Sequence, residues 1–249
     1  MSVKYIKTPH LPERKVGLLA LGERYRQALE AALLARGVEP LWLPDTPGVD
    51  TRLAGHADLA LFHAGGSTVV SAGTPDADDD LARRGFTVLR AGSPLGKTYP
   101  LDARLCGCLV GAVFLHDERI TDKALLRALP DGVKIARTRQ GYAKCAACVV
   151  DSRSIITADA GVARAAESAG LDVLRIAPGH IELEGFGHGF IGGAAFKLAR
   201  ETLAFTGRMD AHPDWACMEA FLRSRSVEPA FLTDMPAFDI GSALPLSER

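Results

Sequence analysis

The chain carries five cysteines: a C-x-C pair (Cys106, Cys108), a C-x-x-C pair (Cys145, Cys148), and Cys217 apart from both. A thiolate is both a nucleophile and a soft metal ligand, and either use needs neighbours that stabilise the anion. Cys145 has the best setting. Lys144 stands beside it, and a histidine such as His188, brought near by the fold, would lower its pKa further. Four thiolates make a structural zinc site. Residues two apart on a strand share a face, so Cys106 and Cys108 act together, whereas Cys145 and Cys148 point to opposite sides unless the strand bends. No metal is therefore expected. The competing use of these cysteines is as small buried hydrophobes.

His188 opens the run HGFIGGA, where the glycines allow close backbone approach to a ligand or mark a bulged strand. It is the expected general acid/base. Asp239 opens DIGSALPL and is expected to hold a cationic group. Asp58, His63, Lys144 and Ser242 lie in comparable stretches and are expected to contact a substrate. By contrast, His212-Pro213-Asp214 and the acidic run at Asp76, Asp78, Asp79 and Asp80 sit where helices start. Capping and the helix dipole account for them.

These side chains need a framework. Lysine plus arginine total 29 and aspartate plus glutamate 30, a net charge of −1 that argues against nucleic acid as the main partner. No apolar run approaches the roughly 18–20 residues of a membrane helix, and the N-terminus lacks a signal-peptide pattern. A cytoplasmic protein with a small-molecule ligand and no membrane partner is expected. Neither G-x-G-x-x-G nor a P-loop motif occurs, so no cofactor is expected.

The framework is repetitive. VEPLWLPDTPGVD (38–50) and VEPAFLTDMPAFD (227–239) share seven of thirteen positions. A helical pattern followed by a strand recurs four times, closed by Gly37, Gly85, Gly132 and Gly170, and a fifth copy ends at Ser226. Asp76, Thr121 or Asp122, Asp159 and Asp210 are the expected caps. Two strand-like runs precede each later helix, giving units of strand–strand–helix–strand. These begin near Leu59, Ala103, Cys145 and His188, at intervals of 44, 42 and 43 residues. The first copy lacks its hairpin, and DIGSALPL (239–246) supplies the missing strand. The expected fold is α/β: one domain, residues 1–249, of five ββαβ units in a ring closed by the C-terminal strands. Closure removes open sheet edges. An open doubly wound sheet has the same rhythm but would favour the nucleotide motifs that are missing. In the ring the first strand of each unit would line a central channel.

Those units, with GYAKCAACVVD (141–151), SIITAD (154–159), HGFIGGA (188–194), FTG with HPD (205–207, 212–214) and DIGSALPL (239–246), resemble the pentein superfamily, the guanidine-modifying-enzyme fold. The segment from Gln140 to Leu246 resembles an uncharacterised bacterial family of that fold. The resemblance implies a five-bladed propeller with a central channel, and hydrolase or amidinotransferase-like activity on C–N bonds. It also admits a non-catalytic binding module, since the superfamily includes a ribosome-binding translation factor. Its enzymes use acids that grip the guanidinium, a histidine in an H-x-D or similar setting, and a nucleophilic cysteine near the C-terminus. Here the C-terminal hairpin offers Gly241 and Ser242 instead of cysteine, and no H-x-D is expected anywhere in the chain. Cys145 is the substitute nucleophile, His188 the proton carrier and Asp239 the substrate's acid.

Overall fold

A computed structural model of the protein describes residues 4–249. The chain enters through β1 (Lys4–Tyr5), β2 (Val16–Gly22), α1 (Arg26–Ala35) and β3 (Glu39–Leu43). A one-turn helix, α2 (Ala57–Ala60), leads into β4 (Leu61–Gly65), β5 (Thr68–Ser71), α3 (Pro75–Arg83) and β6 (Thr87–Arg90). Next come β7 (Cys108–Val110), β8 (Val113–His116), α4 (Lys123–Ala128) and β9 (Lys134–Arg137). A second one-turn helix, α5 (Ala143–Ala146), precedes β10 (Cys148–Asp151), β11 (Ser154–Thr157), α6 (Ala160–Ala169) and β12 (Asp172–Arg175). The chain finishes with β13 (Ala195–Ala199), β14 (Thr202–Phe205), α7 (Trp215–Arg223), β15 (Glu228–Phe231) and β16 (Leu244–Glu248).

These strands make an α/β fold of five small sheets. In four of them two strands form an antiparallel hairpin, and the third returns through a helix to lie parallel to the second. The remaining sheet has the order β1–β16–β2–β3. Here the C-terminal β16 lies antiparallel to β2, with Leu244 opposite Ala20, and β3 is parallel to β2.

The middle strand of each hairpin unit is buried on both faces, which is why these runs are continuously apolar rather than alternating. Val69, Val70, Phe114, Leu115, Ile155, Ile156, Leu203 and Phe205 are all 0 % exposed. Each large apolar cluster joins two sheets. Val150 and Ile156 pack with Leu203, Phe205 and Met218. Phe196 and Leu198 pack with Leu19 and Leu21. Leu18 and Leu244 pack with Leu61 and Val69. Val70 packs with Leu109 and Phe114, and Leu115 with Val149 and Ile155.

The helix punctuation is mostly as expected. Asp122 accepts from Ala124 N at 2.7 Å, and Asp159 accepts from Gly161 N and Val162 N at 2.7 and 2.8 Å. Gly170 closes α6 with a left-handed φ of 93°, and Ser226 takes the same region at 55°. Two expected caps are corrected. Asp76 lies inside α3, behind Thr74 and Pro75. Asp210 pairs with Arg208, and Asp214 stands at the start of α7.

A larger correction concerns the stretches expected as channel-lining strands. Residues 57–60 and 143–146 form single helical turns, 191–193 form a turn, and β16 starts only at Leu244. Their backbone groups bond across units instead of continuing a ladder. Asp58 N donates to Gly241 O, Lys144 N to Cys106 O, and Gly193 N to Cys145 O. Ile240 N and Ser242 N both donate to Gly193 O. The thiol of Cys106 reaches Asp58 O at 3.5 Å. The lead-in segments are thus stitched to one another as well as to their own hairpins, which Ala60 and Ala194 reach by accepting from Ala72 N and Thr206 N.

Candidate functional site

The stitching brings residues distant in sequence onto one floor. Cys145, on α5, places its Sγ 3.0 Å from Asp58 Oδ2 on α2 and 4.0 Å from Asp239 Oδ1. His56, one residue before α2, joins them: single donor atoms of His56, Cys145 and Asp239 all lie within 4.8 Å of one another. All four side chains are buried. His56, Cys145 and Asp239 line a cavity of about 430 Å³ walled by Leu53, Tyr99, Tyr142, Leu183, Phe186 and Phe190, while Asp58 lies behind Cys145 and does not line it. Arg139, Gln140 and His188 are the polar groups nearer its mouth.

Local structure explains the precision of this floor. The Asp239 carboxylate accepts from Phe190 N and Gly241 N, both at 2.8 Å. The chain around Phe190 comes so close that a Cβ on Gly193 would sit 1.9 Å from Asp239 Oδ1. Gly189 and Gly193 of HGFIGGA therefore serve close approach to this aspartate, and Gly192 close approach to the backbone of Ala147 and Lys144. Tyr142 donates to Asp102 Oδ2 at 2.7 Å, which fixes one wall. Gln140 is held by its amide on Asp159 Oδ2 at 3.0 Å.

The electrostatics are those of a site short of positive charge. Burial pushes the Asp58 carboxyl up, and Asp239 adds to this against the opposing pull of His56 and of the Cys145 S–H bond. Burial likewise pushes the Cys145 thiol well up, reinforced by Asp58 and then Asp239. The expected activation of Cys145 by Lys144 is overturned. Consecutive residues on a helical turn diverge by about 100°, and the Lys144 ammonium points elsewhere, to Gly192 O at 3.0 Å.

Of the residues expected from sequence, Cys145, Asp239 and Asp58 come together, and His188 lines the same cavity with its ring against its neighbour's carbonyl, Gly189 O. His63, Lys144 and Ser242 do not line it. His63 is buried against Gly66 O at 3.0 Å, and burial lowers its pKa to about 4. Ser242 is 0 % exposed and donates to Ala243 O. The cysteine pairs separate as well: Cys108 and Cys148 sit in different apolar clusters, and burial pushes their thiols to about 11 and about 12. The sequence reading missed His56 and Tyr142. The expectation of no H-x-D is corrected: His56-Ala57-Asp58 is one and was the signal for His56, and His212-Pro213-Asp214 is another, whose histidine and aspartate bond the backbone of Ala177 and do not line the cavity.

The arrangement of sheets is shared with solved structures of enzymes. SxtG, an amidinotransferase from Microseira wollei in the saxitoxin biosynthetic pathway, matches with a TM-score of 0.58 at 10% identity, over 100% of this chain and 98% of its own. The inosamine-phosphate amidinotransferase StrB1 from Streptomyces griseus matches at 0.56 and 10% identity over 96% of each chain. A DDAH mutant from Pseudomonas aeruginosa complexed with citrulline matches at 0.51 and 11% identity, over 87% of this chain and 92% of its own. The fold is that of the pentein superfamily. The chain belongs to a family of unknown function, DUF6873, whose model matches residues 20–244. No curated protein matches the chain by sequence.

Proposed function

We propose that this protein is a thiol enzyme that cleaves a C–N bond of a small guanidino compound. The observation that carries the reading is the Cys145 sulfur, 3.0 Å from one buried carboxylate and 4.0 Å from another, at the floor of an aromatic-walled cavity. A planar cation with several N–H donors answers what this floor lacks. Asp58 Oδ1 and His56 Nε2 are buried with no hydrogen-bond partner among the described residues. A guanidinium seated between Asp58 and Asp239 also offsets the negative charge that keeps the thiol protonated. The thiol then passes its proton to His56, and the sulfur attacks the guanidinium carbon. The C–N bond breaks as His56 returns the proton to the leaving amine. Water, deprotonated by His56, attacks the sulfur-bound carbon. The C–S bond breaks, giving a urea-type product and the free thiol. His188 and Arg139, nearer the mouth, contact the rest of the ligand.

In this reading the five sheets are blades of one closed, single-domain propeller. Support comes from the apolar clusters, which join consecutive sheets and the last with the first, and from the stitched lead-in segments. A cytoplasmic setting fits four buried, unpaired thiols.

The test is turnover. Arginine, agmatine, methylated arginines and creatine-like guanidines are incubated with the protein, and ureido product and released amine are measured. One class should be converted, and Cys145→Ala should abolish conversion. Equal conversion by that variant, or neither conversion nor binding of any guanidine, would refute the reading. The C-terminal hairpin without a cysteine favours a second reading, a binding module without chemistry. It predicts a saturable rise in melting temperature with no product, about 2.7 kcal/mol of stabilisation at a hundredfold excess over Kd.

A further inference from the structure

The three donors on the cavity floor share a second chemistry. His56, Cys145 and Asp239 supply one nitrogen, one sulfur and one oxygen. We propose that they form a binding site for a divalent transition metal ion of the zinc class, with its fourth position open to the cavity.

The geometry is close to what such an ion needs. Tetrahedral zinc with bonds of about 2.0–2.3 Å places its ligand atoms roughly 3.3–3.7 Å apart. Cys145 Sγ and Asp239 Oδ1 are 4.0 Å apart, and every pair in the trio falls within 4.8 Å. Contraction by up to about 1.5 Å completes the set. The donor types select the metal, since sulfur and imidazole favour zinc, cobalt or nickel over calcium or magnesium. A thiolate and a carboxylate offset the two positive charges, and the further carboxylate of Asp58, 3.0 Å from Cys145 Sγ, also favours a cation there. As the sulfur–metal bond forms, the thiol proton is released to solvent.

Two further observations point to a ligand. His56 Nε2 is buried, and the residue is 4 % exposed, without a hydrogen-bond partner among the described residues. Asp239 is already oriented by two backbone N–H groups, each leaving its oxygen a free lone pair. The remaining cysteines offer no rival. Among the described residues, this trio is the group of three or more such donors within metal-ligating reach. On the functional reading above, an ion here takes the nucleophile as its ligand, so metal binding and thiol chemistry exclude each other.

The test needs no substrate. Metal-stripped protein is titrated with cobalt(II), and the thiolate-to-cobalt charge-transfer absorption is followed. The expected result is a saturable one-to-one band that zinc displaces. Cys145→Ser should lose it, and Cys217→Ser should keep it. His56→Gln and Asp239→Asn should bind at least about tenfold more weakly. Absence of the band in the parent protein overturns the proposal, as does its survival in Cys145→Ser or its loss in Cys217→Ser. Should Cys145→Ser fail to fold, His56→Gln decides: affinity equal to the parent's refutes the site. Because turnover is not read, loss of the guanidine reading leaves this result standing, and the reverse also holds.

Discussion

Acid should unfold this protein in a way traceable to one imidazole. His63 is 1 % exposed, its pKa is lowered by burial to about 4, and its ring meets Gly66 O. In the unfolded chain the same ring titrates at about 6.5. Between these values the unfolded state binds nearly one more proton than the native state, so stability rises with pH across that window. Integrated over the window, the loss on acidification is about 3 kcal/mol. For a chain of this size that is a fall of roughly 6–12 °C in melting temperature. His63→Gln keeps a donor for Gly66 O and removes the titration. The assay is thermal unfolding by circular dichroism at steps from neutral pH down to about 4, for both proteins. The parent should lose about 3 kcal/mol more than the variant, even though His10, also held neutral by burial, adds acid sensitivity to both. Because His63 does not line the cavity, guanidine turnover should be unchanged in the variant. Parallel pH curves would refute the argument, and a variant that unfolds normally but no longer binds ligand would return His63 to the site.

Two further outcomes follow from named contacts. Asp159→Ala removes the acceptor for two helix N–H groups and for Gln140, and should cost about 1–2 kcal/mol, read as a lower urea midpoint at constant slope. It should also weaken ligand binding, because Gln140 lines the cavity. Glu248 is bonded by Lys4 at 2.6 Å and by the backbone of Glu13 and Arg14; burial opposes its charge, but these partners hold its pKa below the usual value of 4.5. Glu248→Gln should lose about 1–3 kcal/mol at neutral pH. That difference should shrink as pH falls below the unfolded value of 4.5 and vanish once pH has passed the lowered native value, since the native contacts favour the ionised form.

The repeating unit was legible because its signals are local. Apolar hairpin strands, a capped helix and a left-handed terminator all lie within some forty residues, and the two ends of the chain show complementary halves of one unit. The lead-in segments were not legible. ADLA and AKCA read as apolar strand starts because they are buried all round, and nothing in their pattern says that their amides bond to carbonyls in other units. The same gap governed the site. Cys145, Asp58 and Asp239 stand out by type, but their meeting depends on those cross-unit bonds. Lys144 was misplaced for a simpler reason: adjacency on a helical turn sends neighbours in different directions. His56 was legible in principle, since its H-x-D stands in the sequence, and the expectation that the chain has no such motif was wrong.

The place of β16 beside β2 has a consequence for how the protein comes into being. During synthesis the first sheet waits for its inner strand until β16 is made, more than two hundred residues after β2, leaving that edge of β2 without its neighbour meanwhile. Asp239 arrives in the same late stretch. The earlier four-fifths of the chain can carry Cys145 and His56 but lacks the carboxylate that completes the floor. The floor beneath the cavity is thereby completed only after residue 239 has been made.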